Sequence, residues 1–203
     1  MTLATPFSAL LESASNERPI LAWLKKNPLV LTRAIPFGHY VTSEFPFGSD
    51  FKADFVVLGP YSGGIDVHFL ELEPANERLF TKRGNTAKRL AGAIAQVDSW
   101  KTFIEHERST VVRELAKYFH LRELIFKRRA IPCDNCGWRL NDPRLHLNWR
   151  FEIVIGRRSE MAEEHLQLKA SFWDHHDIEV MTYDRLLQGA DTVECEECAP
   201  LRR

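Results

Sequence analysis

Ser49-Asp50-Phe51-Lys52-Ala53-Asp54-Phe55-Val56-Val57-Leu58 and, after a glycine-rich break, Ile65-Asp66-Val67-His68-Phe69-Leu70-Glu71-Leu72-Glu73-Pro74 decide the fold. Both runs are rich in β-branched and aromatic residues and are bounded by turn residues, Gly48-Ser49-Asp50 before the first and Gly59–Gly64 between them, so they read as a two-stranded hairpin. Pro74 closes the second strand because it has no N–H to give the ladder. Asp54 interrupts an apolar run, where a carboxylate costs desolvation free energy unless it is paired or metal-bound. Glu71 and Glu73 share a face, since strand side chains repeat every two positions. A hairpin register can bring them to Asp54 at one sheet edge, and such a group of oxygens suits a hard cation. Taken singly, each acid is more often a solvated strand-end carboxylate; the combination favours a site.

Outward from the hairpin, Glu17–Lys26 carries Ile20, Leu21, Trp23 and Leu24 near helical spacing, with Asn16 as N-cap and Asn27-Pro28 as stop. Leu29–Thr32 and Tyr40–Phe45 read as extended. Between Asn85 and Glu107, the residues Ala87, Leu90, Ala91, Ile94, Ala95, Val97, Phe103 and Ile104 trace a long helical stripe. A shorter helix over Val111–Tyr118 precedes Leu124-Ile125-Phe126. Phe151–Ile155 reads as a central strand ending at Gly156, Glu160–Trp173 as a helix, Ile178–Met181 as a last strand and Tyr183–Leu187 as a closing helical turn. The succession predicts an α/β (α+β) domain, a mixed sheet flanked by helices.

The 203 residues suit one domain with a substantial core. A hydrophobic fraction of 44%, charged residues at 27% and five Trp exclude a disordered chain. No apolar run reaches the roughly 20 residues of a membrane span and no signal-peptide pattern opens the chain, so a cytoplasmic protein with no membrane partner is expected. With a net charge of -1, any affinity for nucleic acid must come from local patches.

The hairpin segments, taken with Ala93-Ile94-Ala95-Gln96-Val97-Asp98-Ser99-Trp100, resemble the nuclease domain of Shedu antiphage defence proteins, in the PD-(D/E)XK superfamily. The resemblance covers residues 17–107 well. Phe151-Glu152-Ile153-Val154-Ile155-Gly156-Arg157-Arg158 and Thr182-Tyr183-Asp184-Arg185-Leu186-Leu187 are similar to the family's closing segments. It implies a restriction-endonuclease-like fold, Asp54 and Glu71 as Mg²⁺ (or Mn²⁺) ligands, Gln96 beside them in a Gln-xxx-aromatic helix motif completed by Trp100, and Glu17 as an acid near the metal. The superfamily's third residue, normally Lys two positions after the Glu, is Glu73 here. Either a lysine arrives from elsewhere, Lys82 first and Lys52 second, or Glu73 is a further ligand, or the domain binds without cutting. The resemblance also implies a homo-oligomer acting in prokaryotic defence on DNA; the short chain leaves target choice to small insertions or to an activating partner protein.

Arg78, Lys82, Arg83, Lys88 and Arg89 cluster between the second strand and the long helix, where they can grip phosphate, although charge clusters are more often plain solvated surface. Lys127-Arg128-Arg129 is a weaker basic run. All four cysteines fall in two CxxC pairs, Cys133/Cys136 and Cys195/Cys198. Two such knuckles can form a Cys₄ zinc site, joining an insertion over 127–150 to the C-terminal 191–203 as an appendage of the single 1–203 domain. Unpaired thiols are the bland alternative, and a thioredoxin-like role is disfavoured because neither pair follows a strand and opens a helix. His146, His165, His175 and His176 are spare ligands more often explained as surface or core residues. The leading expectation is a metal-dependent DNA endonuclease. Its rivals are a catalytically silent nucleic-acid-binding module and a zinc-stabilised protein-interaction domain.

Overall fold

The computed structural model describes residues 2–61, 64–120, 126–127, 140 and 146–194. β1 (Tyr40–Phe47), β2 (Phe51–Tyr61) and β3 (Gly64–Leu72) form an antiparallel meander. The break expected at Gly59–Gly64 is narrower than its composition suggests, because Gly59-Pro60-Tyr61 continue β2 and Gly64 already pairs. Between β1 and β2 the chain reverses at Gly48, whose φ of 69° is open to glycine at little cost. β5 (His146–Val154) lies parallel to β3, β6 (Glu179–Met181) parallel to β5, and the short β4 (Phe126–Lys127) antiparallel to β1. The order β4-β1-β2-β3-β5-β6 is a mixed sheet with the expected strand β5 inside it.

Seven α-helices lie among the described residues: α1 (Ala4–Ser13), α2 (Arg18–Lys26), α3 (Leu29–Ala34), α4 (Lys88–His106), α5 (Arg108–His120), α6 (Glu163–His176) and α7 (Tyr183–Asp191). Each sheet face has its own core. Val56, Phe69, Phe151 and Ile153 pack with Leu90, Val97 and Trp100 of α4, with α5 and with Phe172 of α6. Phe55, Val57, Leu70 and Val154 pack with α1–α3 and α7 through Phe7, Ile20, Leu24, Leu31 and Leu186. The result is a three-layer α/β fold.

Three expectations are corrected. Leu29–Thr32 is helical, not extended: Pro28 stands at the N-cap of α3, where its missing N–H costs nothing, and the Thr32 hydroxyl donates back to Leu29 O at 2.9 Å. On α4 the buried stripe is Leu90, Ala93, Ile94, Val97, Trp100 and Ile104, while Ala91 and Ala95 face solvent. The helix expected over Glu160–Trp173 starts later, after a 3₁₀ turn at Arg158–Glu160. α1 was not anticipated. Leu124, Ile125, Arg128, Arg129, Cys133, Cys136, Cys195 and Cys198 lie outside the described residues, and with them the zinc appendage.

One irregularity positions the site. Val41, Phe55 and Val57 face the α1–α3 layer, yet Phe45 and Ala53, of the same parity, face the α4 layer. The alternation slips where Glu44 stands opposite Asp54, between the pairs Ser43↔Phe55 and Phe45↔Ala53. Glu44 absorbs the slip with a φ of 51°, in the left-handed region that non-glycine residues rarely adopt.

Candidate active site

The slip stops the β2–β3 ladder at Phe55↔Leu70, so the next positions in register are Asp54 and Glu71. With no partner on the β2 side, the Leu72 N–H donates to Asp54 Oδ2 at 2.8 Å. A carboxylate thus replaces a backbone carbonyl, and Asp54 is held against β3 rather than left free at a strand end. On Glu71 the partner is Gln96, whose Nε2 donates to Oε1 at 2.9 Å. Ala93, Val97 and Trp100 anchor α4 in the core, which leaves Gln96 at the rim facing β3. Glu73 follows the end of β3; its N–H donates to Val154 O at 2.8 Å and its carbonyl accepts from the Tyr183 hydroxyl at 2.8 Å.

Electrostatics show how closely these acids crowd. Burial raises Asp54 to about 6, against the Leu72 N–H, which favours the charged form, and with the charge of Glu17 adding to the rise. Burial, then the charges of Asp54 and Glu73, push Glu71 up to about 9. Glu73 is also raised, by burial first, with Arg89 opposing. Glu17, at the N-cap of α2, acts on all three, so four carboxylates from three elements share one sheet edge.

Two cations answer them. Arg89, in the first turn of α4, approaches Glu73 Oε2 and Glu77 Oε1, each at 3.8 Å. Lys52 acts on Asp54 while bonding Glu44 Oε1 at 3.1 Å, and Lys25 of α2 is on the other Glu44 oxygen. Those two lysines hold the Glu44 carboxyl below its usual range. Lys82 sits in the turn closed by the Gly84 N–H on Thr81 O at 2.9 Å, and both it and its neighbour Arg83 are exposed. Arg78 lies 4.0 Å from Glu160, and Lys88 opens α4 on the solvent side. The basic cluster is therefore a surface band, of which Arg89 alone is seen against the acids. Sequence reading missed Glu44 and Lys25; their signal was the strand register, which sets Glu44 across from Asp54.

The histidines have local explanations. His146 bonds Asn148 Oδ1 at 2.7 Å, His165 packs on Phe80, His175 bonds Ser171 O at 2.7 Å and His176 stacks on Phe172. Among the described residues no three His, Cys, Asp or Glu side chains are arranged to hold a metal ion by themselves. An all-oxygen set of neighbouring carboxylates would suit a cation that keeps water or takes phosphate oxygens for the rest of its shell, as Mg²⁺ does.

No helix among the described residues is long and apolar enough to cross a membrane. No curated protein matches the chain. The family model described as Shedu protein SduA, C-terminal, matches residues 14–187, a span that takes in the whole site and all six strands of the sheet, and the chain belongs to that family.

Proposed function

We propose that the chain is a metal-dependent DNA endonuclease acting in the cytoplasm in antiphage defence, with Asp54 and Glu71 as cation ligands. The Shedu family is associated with nuclease activity and antiphage defence. The observation that carries the proposal is the meeting of Asp54 and Glu71 across the interrupted ladder, each fixed by a protein donor, with Glu73 and Glu17 alongside. The raised acids support it, because carboxylates forced together out of water are the arrangement a divalent cation relieves.

When bound, Mg²⁺ or Mn²⁺ lowers the pKa of a coordinated water and offsets charge on the phosphodiester. Asp54 would offer Oδ1 to the cation, since Oδ2 accepts the Leu72 N–H. Gln96 fixes the rotation of Glu71. Arg89, against Glu73, would bring positive charge to the place left by the missing lysine, and Lys52 would add charge on the Asp54 side, where charge builds in the transition state. Glu73 stands between Arg89 and the acids, as a further ligand or as the residue that aims that guanidinium. Arg78, Lys82, Arg83 and Lys88 form the exposed band that phosphate backbone would cross. The proposal extends to a homo-oligomer, an activating partner protein and a zinc ion on the two CxxC pairs, which metal analysis of the purified protein tests.

Supercoiled, linear and single-stranded DNA incubated with Mg²⁺ or Mn²⁺, and with chelator as control, is the direct assay. Cutting that requires the cation is the expected result. Metal-independent shifts of DNA mobility without cutting would replace the nuclease reading with a silent binding module.

A further inference from the structure

β3, β5 and β6 run parallel, so their carboxyl ends share one edge of the sheet. Ligands of open α/β sheets bind in the crevice outside such ends. Glu71 and Glu73 occupy the β3 end, and the β5 and β6 ends carry a different chemistry. After β5 the chain turns at Gly156, whose φ is 64° and where a Cβ would stand 2.4 Å from Glu77 O. The turn throws Arg157 and Arg158 out beside α6 and α7. There Arg158, Lys169, Thr182, Asp184, Arg185 and Gln188 line a cleft of about 450 Å³.

The acids at this cleft are already committed. Asp184 takes the Arg158 N–H on Oδ2 at 2.6 Å and Arg157 Nε on Oδ1 at 3.4 Å. Glu179 is engaged by Arg185 at 2.7 Å, and Arg185 Nε also donates to Ala34 O at 3.1 Å. Among the described residues, neither Lys169 nor the Arg158 side chain has an ion-pair partner. Lys169 is half-buried, and burial, with Arg185 and Arg158 nearby, lowers its pKa despite Glu179. A half-buried ammonium beside two guanidiniums, one of them paired with Glu179, gives this open cleft positive charge that its carboxylates leave uncancelled.

We propose that this cleft binds a backbone phosphate of a nucleic-acid strand, with Arg158 and Lys169 as the charged contacts and the Gln188 amide as a further donor. The proposal rests on the nuclease reading and extends it. β6 is two strands from β3, so the cleft lies about 10 Å along the edge from the acids, a distance one nucleic-acid strand covers within a few nucleotides. Arg78 lies 4.0 Å from Glu160, two residues after Arg158, and follows Glu77, which Arg89 approaches at 3.8 Å. One strand crossing this edge meets the acids at one phosphate and the cleft a few nucleotides away.

The test is binding of a fluorescein-labelled 20-base-pair duplex to the full chain in chelator, followed by anisotropy against salt. Lys169→Gln and Arg158→Gln are compared with Lys117→Gln, a control on α5, and with Lys169→Arg, which keeps the charge. Each of the first two is expected to weaken binding on the order of three- to tenfold and to lower the salt slope by about one, while Lys169→Arg restores both. Binding equal to the Lys117→Gln control would overturn the subsite and leave the nuclease reading standing. No duplex binding by the wild type would overturn both. Inorganic phosphate binding, followed by calorimetry, that is lost in Lys169→Gln while duplex binding is unchanged would mark a free-anion site and overturn the assignment to backbone.

Discussion

Glu71→Gln should make the cation-free protein more stable, although it removes a residue from the centre of the site. Glu71 ionises at an ordinary 4.5 when exposed and at about 9 in the fold. The folded state therefore holds a proton that the unfolded chain has released, and stability falls as pH rises from 4.5 towards 9. At pH 7 the window already crossed is about 2.5 units, a ceiling of about 3 kcal/mol at 1.36 kcal/mol per unit. Residual solvent access and coupling to Asp54 reduce the expected gain to about 1–2 kcal/mol. A glutamine keeps an oxygen for the Gln96 donor, so the hydrogen bond survives. Urea melts in chelator at pH 5, 6, 7 and 8 measure the effect. Wild-type stability should decline across the series and the variant should decline less, with a melting temperature at pH 7 higher by about 2–4 °C per kcal/mol. Added Mg²⁺ should then stabilise the wild type and leave the variant nearly unchanged. A variant less stable than wild type at pH 8 without cation would refute the reasoning, because it would mean that Glu71 is held by contacts stronger than the repulsion around it.

Gln96→Leu removes the donor that orients Glu71 and should raise the cation concentration needed for half-maximal cutting about tenfold, with little change in melting temperature; cation titrations of cleavage rate check it. Gly156→Ala puts a Cβ 2.4 Å from Glu77 O at a φ of 64° and should cost about 2–4 kcal/mol in a denaturant melt. His68→Leu strips the partner, at 2.5 Å, from Glu152, a buried carboxyl raised chiefly by desolvation. Because Glu152 can then stay protonated, the expected loss is about 2–4 kcal/mol, growing as the buffer is made more alkaline.

The hairpin and the long helix were legible because their signals are local: turn residues bound β2 and β3, and Leu90, Ile94, Val97 and Ile104 repeat at helical spacing. Asp54 stood out for the same reason, as a charge inside an apolar run, and Glu71 as an acid sharing a face with Glu73 at the end of the next strand. Leu29–Thr32 misread as extended because a short apolar run has the same composition in a strand and a buried helix, and Asn27-Pro28 marks a helix start as readily as a stop. Ala91 and Ala95 were counted into the buried stripe because alanine is indifferent to either face. The parallel pairing of β3 with β5 joins segments more than seventy residues apart and leaves no local trace. For the cations near the site, the sequence put Lys82 first and Lys52 second; register and helix packing bring Lys52, and Arg89 of the expected basic cluster, to the acids. Glu44 was invisible for a related reason: its partner Asp54 is fixed by strand pairing, and its unusual φ is a tertiary compromise.

The most direct test of the site is metal-dependent DNA cleavage by Asp54→Ala and Glu71→Ala proteins whose folds are verified by circular dichroism, beside the wild type. Cutting by the wild type that is lost in both variants is the predicted result. Cutting that survives in either variant, or that persists in chelator, would contradict the assignment of the metal-dependent centre to Asp54 and Glu71.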